Sequence, residues 1–236
     1  MRIVVTHLTR MERSYICVAG VDAETGAHVR PVVDHRMSET MLRRHGGPFD
    51  IGALVDLGPV RCIGSAPALE DHSFLPRQAR WVKDLKPNVF WRVLERVARS
   101  GLAEIFGAEL ARHGRTYTLP TRTGPASLGC LRPNALSFDR NERGRIRIVL
   151  AEASDAETIS LSLTDLRFYQ ADHQTPRWDL VQAVSARIAA GVPVLVSVGL
   201  GRPYRALGDS AYRHWLQVNN LHLQDDPLWQ ECSLSC

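Results

Sequence analysis

RIVVTHL (residues 2–8) and SYICVAGV (residues 14–21) decide how this chain is read. Both runs are rich in β-branched residues, which pack well on a pleated surface, and a polar stretch separates them, so they predict paired strands. Asp22 to Gly26 has turn composition, and Ala27–Val33 resumes as a strand. Ile51–Leu57 and Val60–Ile63 predict further strands, interrupted at Gly58-Pro59, with a short helical piece around Ser38–Arg44. The first 65 residues are therefore mostly β.

The pattern then changes period. Phe90, Val93, Leu94 and Val97 fall at helical spacing, and Leu102, Ile105, Phe106 and Leu110 continue it. Pro87-Asn88 opens this stretch, Ser100-Gly101 interrupts it and Gly114 closes it, which predicts a helical hairpin over 88–113. Beyond it the strand pattern returns at Tyr117–Leu119, Leu128–Leu136, Arg145–Glu152 and Thr158–Leu163, with a hairpin turn at Asn141 to Gly144. An amphipathic helix follows over Trp178–Ala190. Two strands, Val192–Gly199 and Trp215–Leu223, flank a loop containing Gly201-Arg202-Pro203-Tyr204. An apolar residue followed by Arg-Pro ends a strand-like run at Val29-Arg30-Pro31 and again at Leu131-Arg132-Pro133, which suggests a duplicated small barrel.

Composition removes several classes. The chain has 236 residues, 44% of them hydrophobic and 23% charged, which is ordinary for a globular protein with a core of its own. No apolar run is long enough to span a membrane, and MRIVVTHLTR lacks the form of a secretory signal, so a cytoplasmic location is expected. The formal charge is +4, compatible with a polyanionic partner. Only two of the 29 basic residues are lysine, Lys83 and Lys86; the rest are arginine, whose planar fork suits phosphate and base recognition. Cys17, Cys62, Cys130, Cys232 and Cys236 are odd in number and irregular in spacing, which argues against a disulfide framework and a zinc ribbon. Cys17 and Cys130 lie in apolar runs and read as small core residues.

Catalytic signatures are sparse. No phosphate-binding glycine loop is present, and Gly199-Leu-Gly201 followed by Arg-Pro is not a dinucleotide fingerprint. Asp34-His35, Glu70-Asp71-His72 and Asp172-His173 stand in polar segments rather than at metal-ligand spacing, and His214 and His222 are about 26 Å apart along an extended strand. Neither Ser65 nor Ser210 sits in a nucleophile elbow. No catalytic residue, metal or cofactor is therefore assigned.

Nucleic-acid binding has the strongest physical case. A small twisted barrel offers a curved face on which arginines track phosphates and aromatics stack on bases. Arg10, Arg30, Arg132 and Arg202 lie near strand ends, with Tyr204, His214 and Trp215 near the last of them. Asn219-Asn220 is unusual inside a strand and points to a polar network, a bulge or ligand contacts. These nine residues are the expected nucleic-acid contact set.

The strings THLTRM, YICVAGVD and HVRPV near the start, SLGCLRP in the middle, and SVGLGRPY followed by HWLQVNNLHL near the end resemble the dual OB-containing domain family over residues 1 to about 223. The resemblance implies bacterial proteins of mobile-element or conflict-system neighbourhoods, with two OB-like barrels and a recognition role. The expected fold is a mixed, β-rich α+β protein of two OB-like β-barrel halves bridged by a helical segment. The expected division is a first barrel at 1–75, with 192–223 as a candidate completion, a helical bridge at 76–114, a second barrel at 115–223 and a tail at 224–236. If 192–223 closes against the first half, Arg10 and Arg202 approach each other. The expected function is nucleic-acid recognition, of DNA or RNA, without catalysis. The alternatives are a hydrolase or nuclease acting on nucleic acid or nucleotides, and a protein-interaction subunit of a larger complex.

Overall fold

The computed structural model describes residues 1–12, 15–151 and 158–229. Cys232, Cys236, Ser14, Glu152 and the last part of the 224–236 tail lie outside the described residues.

Strands β1 (Arg2–Arg10), β2 (Tyr15–Asp22) and β3 (His28–Val32) form an antiparallel meander. A two-residue strand, β4 (Met37–Ser38), pairs with β2, and two 3₁₀ turns (39–41 and 43–45) stand where a helix is expected around 38–44. β5 (Ala53–Asp56) and β6 (Val60–Cys62) are two halves of one path, broken where Gly58 takes φ 71° ahead of Pro59. β5 pairs with β1, β6 pairs with β7 (Asp71–Phe74), and β7 runs parallel to β3. The first half thus closes a ring in the order β1, β2, β3, β7, β6/β5, which is Greek-key barrel topology. β8 (Arg80–Asp84) pairs with the outer edge of β5, so the sheet continues into the segment expected to be a helical bridge.

The expected hairpin of helices over 88–113 is corrected by the structure. It contains α1 (Pro87–Val97), a two-residue strand β9 (Ala98–Arg99), the short α2 (Leu102–Phe106) and β10 (Ala111–His113), which pairs with β11 (Thr116–Pro120). The helical periodicity is real: Phe90, Trp91 and Leu94, then Leu102, Ile105 and Phe106, are all buried. Strand pairing overrides it between and after these turns, because β9 runs parallel to β12 (Leu128–Leu131) and β10 meets β11.

β12 and β13 (Ala135–Arg140) are again two halves of one path, broken at Arg132 to Asn134. β13, β14 (Ile146–Ala151) and β15 (Ile159–Leu163) form a second meander. β15 then runs parallel to β17 (Arg213–Leu223), which pairs with β16 (Val194–Leu200), which returns to β12. The second ring therefore repeats the path of the first, with α3 (Trp178–Ala189) burying Leu180, Val181 and Val184 in its core. The duplication lies in the topology and not in the Arg-Pro pairs. Arg30-Pro31 is inside β3, Arg132-Pro133 breaks a strand and Arg202-Pro203 is in a loop, so these are not equivalent positions.

Two bulges bring the rings together. The register of β1 against β2 shifts between Val5 and His7, leaving Thr6 as the extra residue; that of β16 against β17 shifts at Ser197/Val198, leaving Asn219 extra. β5 covers the outer edge of β1 only from Arg2 to Val4. From Thr6 to Arg10 that edge is satisfied by the second half. Ser197 Oγ donates to the Thr6 carbonyl (3.0 Å), Asn220 Oδ1 accepts from Leu8 N (2.7 Å), Asn220 Nδ2 donates to Leu8 O (3.3 Å), and Arg10 N donates to Thr164 O (2.9 Å). Glu70 reaches across in the other direction, accepting from the backbone N–H groups of Ser127 (2.6 Å) and Leu128 (2.9 Å). The core around Phe49 and Phe90 accordingly takes in Cys130, Leu166 and Leu195. The protein is a mixed, β-rich α+β fold of two OB-like barrel halves bridged by a helical segment. Among the described residues no helix is long and apolar enough to cross a membrane.

Candidate nucleic-acid interface

β14 alternates cleanly: Ile146, Ile148 and Leu150 are buried, which turns Arg147 to the outer face of the second ring. There Arg147 Nε donates to Ser160 Oγ (3.1 Å) and a terminal nitrogen donates to Ser162 Oγ (2.7 Å), while the other terminal nitrogen meets the Ser160 carbonyl. Partial burial lowers its pKa, and the Arg115 guanidinium lowers it further. These two arginines, with Arg140 and Arg143 of the β13–β14 hairpin, line a groove of about 500 Å³ that also contains Asp139 and Glu142.

The loop joining β16 to β17 stands beside this groove. Tyr204 and Trp215 stack with ring centroids 5.1 Å apart and planes at 19°, and His113 meets Trp215 edge-on at 5.2 Å. Tyr204 is 52% exposed, so one aromatic face is open to solvent. The loop is held from below: Trp215 Nε1 donates to the Tyr204 carbonyl (3.3 Å), His214 Nδ1 donates to the Gly201 carbonyl (2.8 Å), and Tyr204 and Arg213 exchange backbone hydrogen bonds. Burial raises the Tyr204 hydroxyl pKa while the positive charge of Arg147 works against it, which links the stack to the arginine groove. The faces of the second and third strands of an OB barrel, with the loops joining strands one to two and four to five, bind oligonucleotides. In the second ring these are β14, β15, the Asn141–Gly144 turn and the loop carrying Tyr204.

A separate cavity of about 430 Å³ lies between the two halves. His7 and Asn219 are buried along it, whereas Arg36 and Arg202 are exposed at its rim. Arg30 lines it in an ion pair with Asp71 (2.5 Å). Arg10 also lines it; one terminal nitrogen donates to the His173 carbonyl (2.7 Å), and its guanidinium lies 3.9 Å from the Tyr169 ring centroid.

The expected contact set therefore divides. Arg10, Arg30, Arg202 and Asn219 line the cavity, so Arg10 and Arg202 share one cavity wall between the halves. His214, Trp215 and Tyr204 form the loop platform. Arg132 belongs to neither, standing exposed at the β12/β13 break 3.9 Å from Glu95. Asn220 is fully buried with its amide bonded to Leu8, which makes it a clip between the halves and removes it from the contact surface. Of the possibilities raised by the adjacent asparagines, the bulge and the polar network are both present.

Sequence reasoning missed Arg115, Arg140, Arg143, Arg147 and His113. The arginine-dense turn and the alternating Arg145-Ile146-Arg147-Ile148 were the available signal. Of the Asp-His candidates, Asp172 accepts from Gln174 N, Thr175 N and Thr175 Oγ1, and Asp71 pairs with Arg30; burial pushes His222, of the His214/His222 pair, down to about 3. Of the cysteines, Cys130 is buried and its thiol is pushed up to about 12, while Cys17 is half-buried on the cavity wall.

No curated protein matches the chain. The family model described as the dual OB-containing domain matches residues 1–221, nearly the whole length and both rings, and the chain belongs to that family.

Proposed function

We propose that the protein binds single-stranded nucleic acid on the outer face of the second ring, as a recognition module without catalysis of its own. The family membership supports a nucleic-acid-binding type of fold. The observation that carries the reading is the open face of Tyr204, backed by Trp215, beside a groove with more arginines than carboxylates. Stacking requires an unpaired base, which favours single strands over duplex. Each stacked base contributes about 1–3 kcal/mol, and each neutralised phosphate adds about −0.7 to the salt slope for single strands.

Fluorescence anisotropy with labelled single- and double-stranded DNA and RNA, at about 50 and about 200 mM salt, tests this. Wild type binds single strands best and weakens with salt. Tyr204→Ala lowers affinity about tenfold with the salt slope kept, whereas Arg143→Ala reduces the slope by about one phosphate's share. Equal binding to duplex, or binding indifferent to salt and to both substitutions, overturns the proposal.

A further inference from the structure

The cavity between the rings is distinct from the outer face and has a chemistry of its own. We propose that it is a nucleoside-monophosphate pocket, with the phosphate at the Arg36/Arg202 rim and the base on the floor. Its volume of about 430 Å³ suits a small ligand. Its charge suits an anion, since among the described residues Arg10, Arg30, Arg36 and Arg202 share its lining with two carboxylates, Glu12 and Asp71. Asp71 is already engaged by Arg30, and among the described residues Arg202 has no ion-pair partner. A phosphate is costly to desolvate fully, so it belongs at the exposed rim, where a guanidinium can hold two of its oxygens.

The interior fits the remainder of the ligand. Ile16, Val18, Leu128 and Leu200 give apolar walls against which a base and sugar lose little on leaving water. The floor is polar at His7 and Asn219, 1% and 5% exposed. His7 Nδ1 is bonded to Thr6 Oγ1 (2.8 Å), while its Nε2 has no aligned partner beyond a loose approach to the Val198 carbonyl. Arg10 Nε is likewise buried without a partner. A buried polar atom left this way costs about 1–3 kcal/mol, and the edge of a base can recover it. His7 thus adds a buried polar group to the cavity lining beside the arginines.

Two sources present this chemistry: a free nucleotide, or the phosphorylated end of a strand. The second rests on the proposed outer-face binding, because Arg202 at the rim and Tyr204 on the platform share one loop.

Isothermal titration calorimetry on the full chain separates them, using nucleoside 5′-monophosphates, inorganic phosphate, and single-stranded oligonucleotides with and without a 5′-phosphate. A free nucleotide that binds at least about tenfold tighter than inorganic phosphate, and weakens about tenfold in Arg202→Gln, supports the pocket with a free ligand. A 5′-phosphate that tightens oligonucleotide binding about tenfold, with the gain lost in Arg202→Gln, supports it with a strand end. Arg202 is exposed, so the variant is expected to keep the wild-type thermal midpoint. Nucleotide binding without oligonucleotide binding would leave the pocket standing and remove the outer-face reading. No binding of free nucleotide and no 5′-phosphate effect overturns the pocket, as does equal affinity for inorganic phosphate and nucleotide.

Discussion

Asn220 uses both ends of its amide on one residue of the other half. Its Oδ1 takes the Leu8 N–H and its Nδ2 gives to the Leu8 carbonyl, all without access to water. Asn220→Ala leaves both backbone groups buried and unpaired, for which the expected cost is about 2–4 kcal/mol. Urea unfolding measures this, and a loss below about half a kcal/mol would mean that the clip does not hold the halves together. Asn219, its neighbour, differs because the bulge turns it toward the cavity, where its Oδ1 accepts from Gln217 Nε2 (3.1 Å). Identical residues in adjacent positions thus do unlike jobs. One-dimensional propensity flagged the pair as out of place in a strand but could not divide them.

β1 and β2 approach so closely at Gly20 that a side chain has no room. A Cβ there would lie 2.3 Å from the Val4 oxygen and 2.9 Å from its carbonyl carbon, both backbone atoms that cannot swing away. Gly20→Ala therefore has to part the strands just ahead of the Thr6 bulge, and about 3 kcal/mol or more of destabilisation is expected. Gly114→Ala is the comparison: φ is 60° but nothing lies within 4 Å, so only the left-handed backbone cost of about 1 kcal/mol applies. Thermal unfolding of the two variants side by side checks the ranking, which a larger loss at Gly114 would reverse. The 88–113 stretch shows the limit of reading elements by period. Its apolar spacing correctly placed two buried helical faces, while the pairing of Ala98-Arg99 and Ala111–His113 depended on partners more distant in the chain.

At the scale of the molecule, the junction carries a pH dependence. Burial, helped by the charge of Arg167, holds His222 at about 3; burial, with Arg99, holds His28 at about 4; and burial holds His7 well below its usual value. All three are neutral in the folded protein at neutral pH. The unfolded chain takes up protons on its histidines below about pH 6.5 and the folded one does not, so stability is full above that value and falls toward the folded pKa values. Each histidine contributes a slope of about 1.4 kcal/mol per pH unit in this window. Denaturant unfolding between about pH 7.5 and pH 4.5 measures it, and His222→Gln should remove one proton's share of the slope. An unchanged slope in that variant would mean that His222 is not held neutral.

The sequence by itself determined most strands of the two halves, though not Asp71–Phe74, Arg80–Asp84, Ala98–Arg99 or Ala111–His113. It also determined the change to helical period after residue 86, the helix that begins at Trp178, the arginine bias and the aromatic cluster at the last loop. These are local properties, set by side-chain period, turn residues and composition, and the family resemblance followed from the same strings. Only the tertiary structure decided that the strands on either side of Gly58-Pro59 close one ring together, that Leu128–Leu136 is broken at Arg132–Asn134, that the edge of β1 from Thr6 to Arg10 is completed by side chains of β16 and β17, and that the expected contact residues divide between a cavity and a platform. Arg10 and Arg202 share a cavity because two rings close and two bulges face each other. Pairings between residues some two hundred positions apart are set by packing and backbone hydrogen bonding, which leave no periodic trace in the sequence.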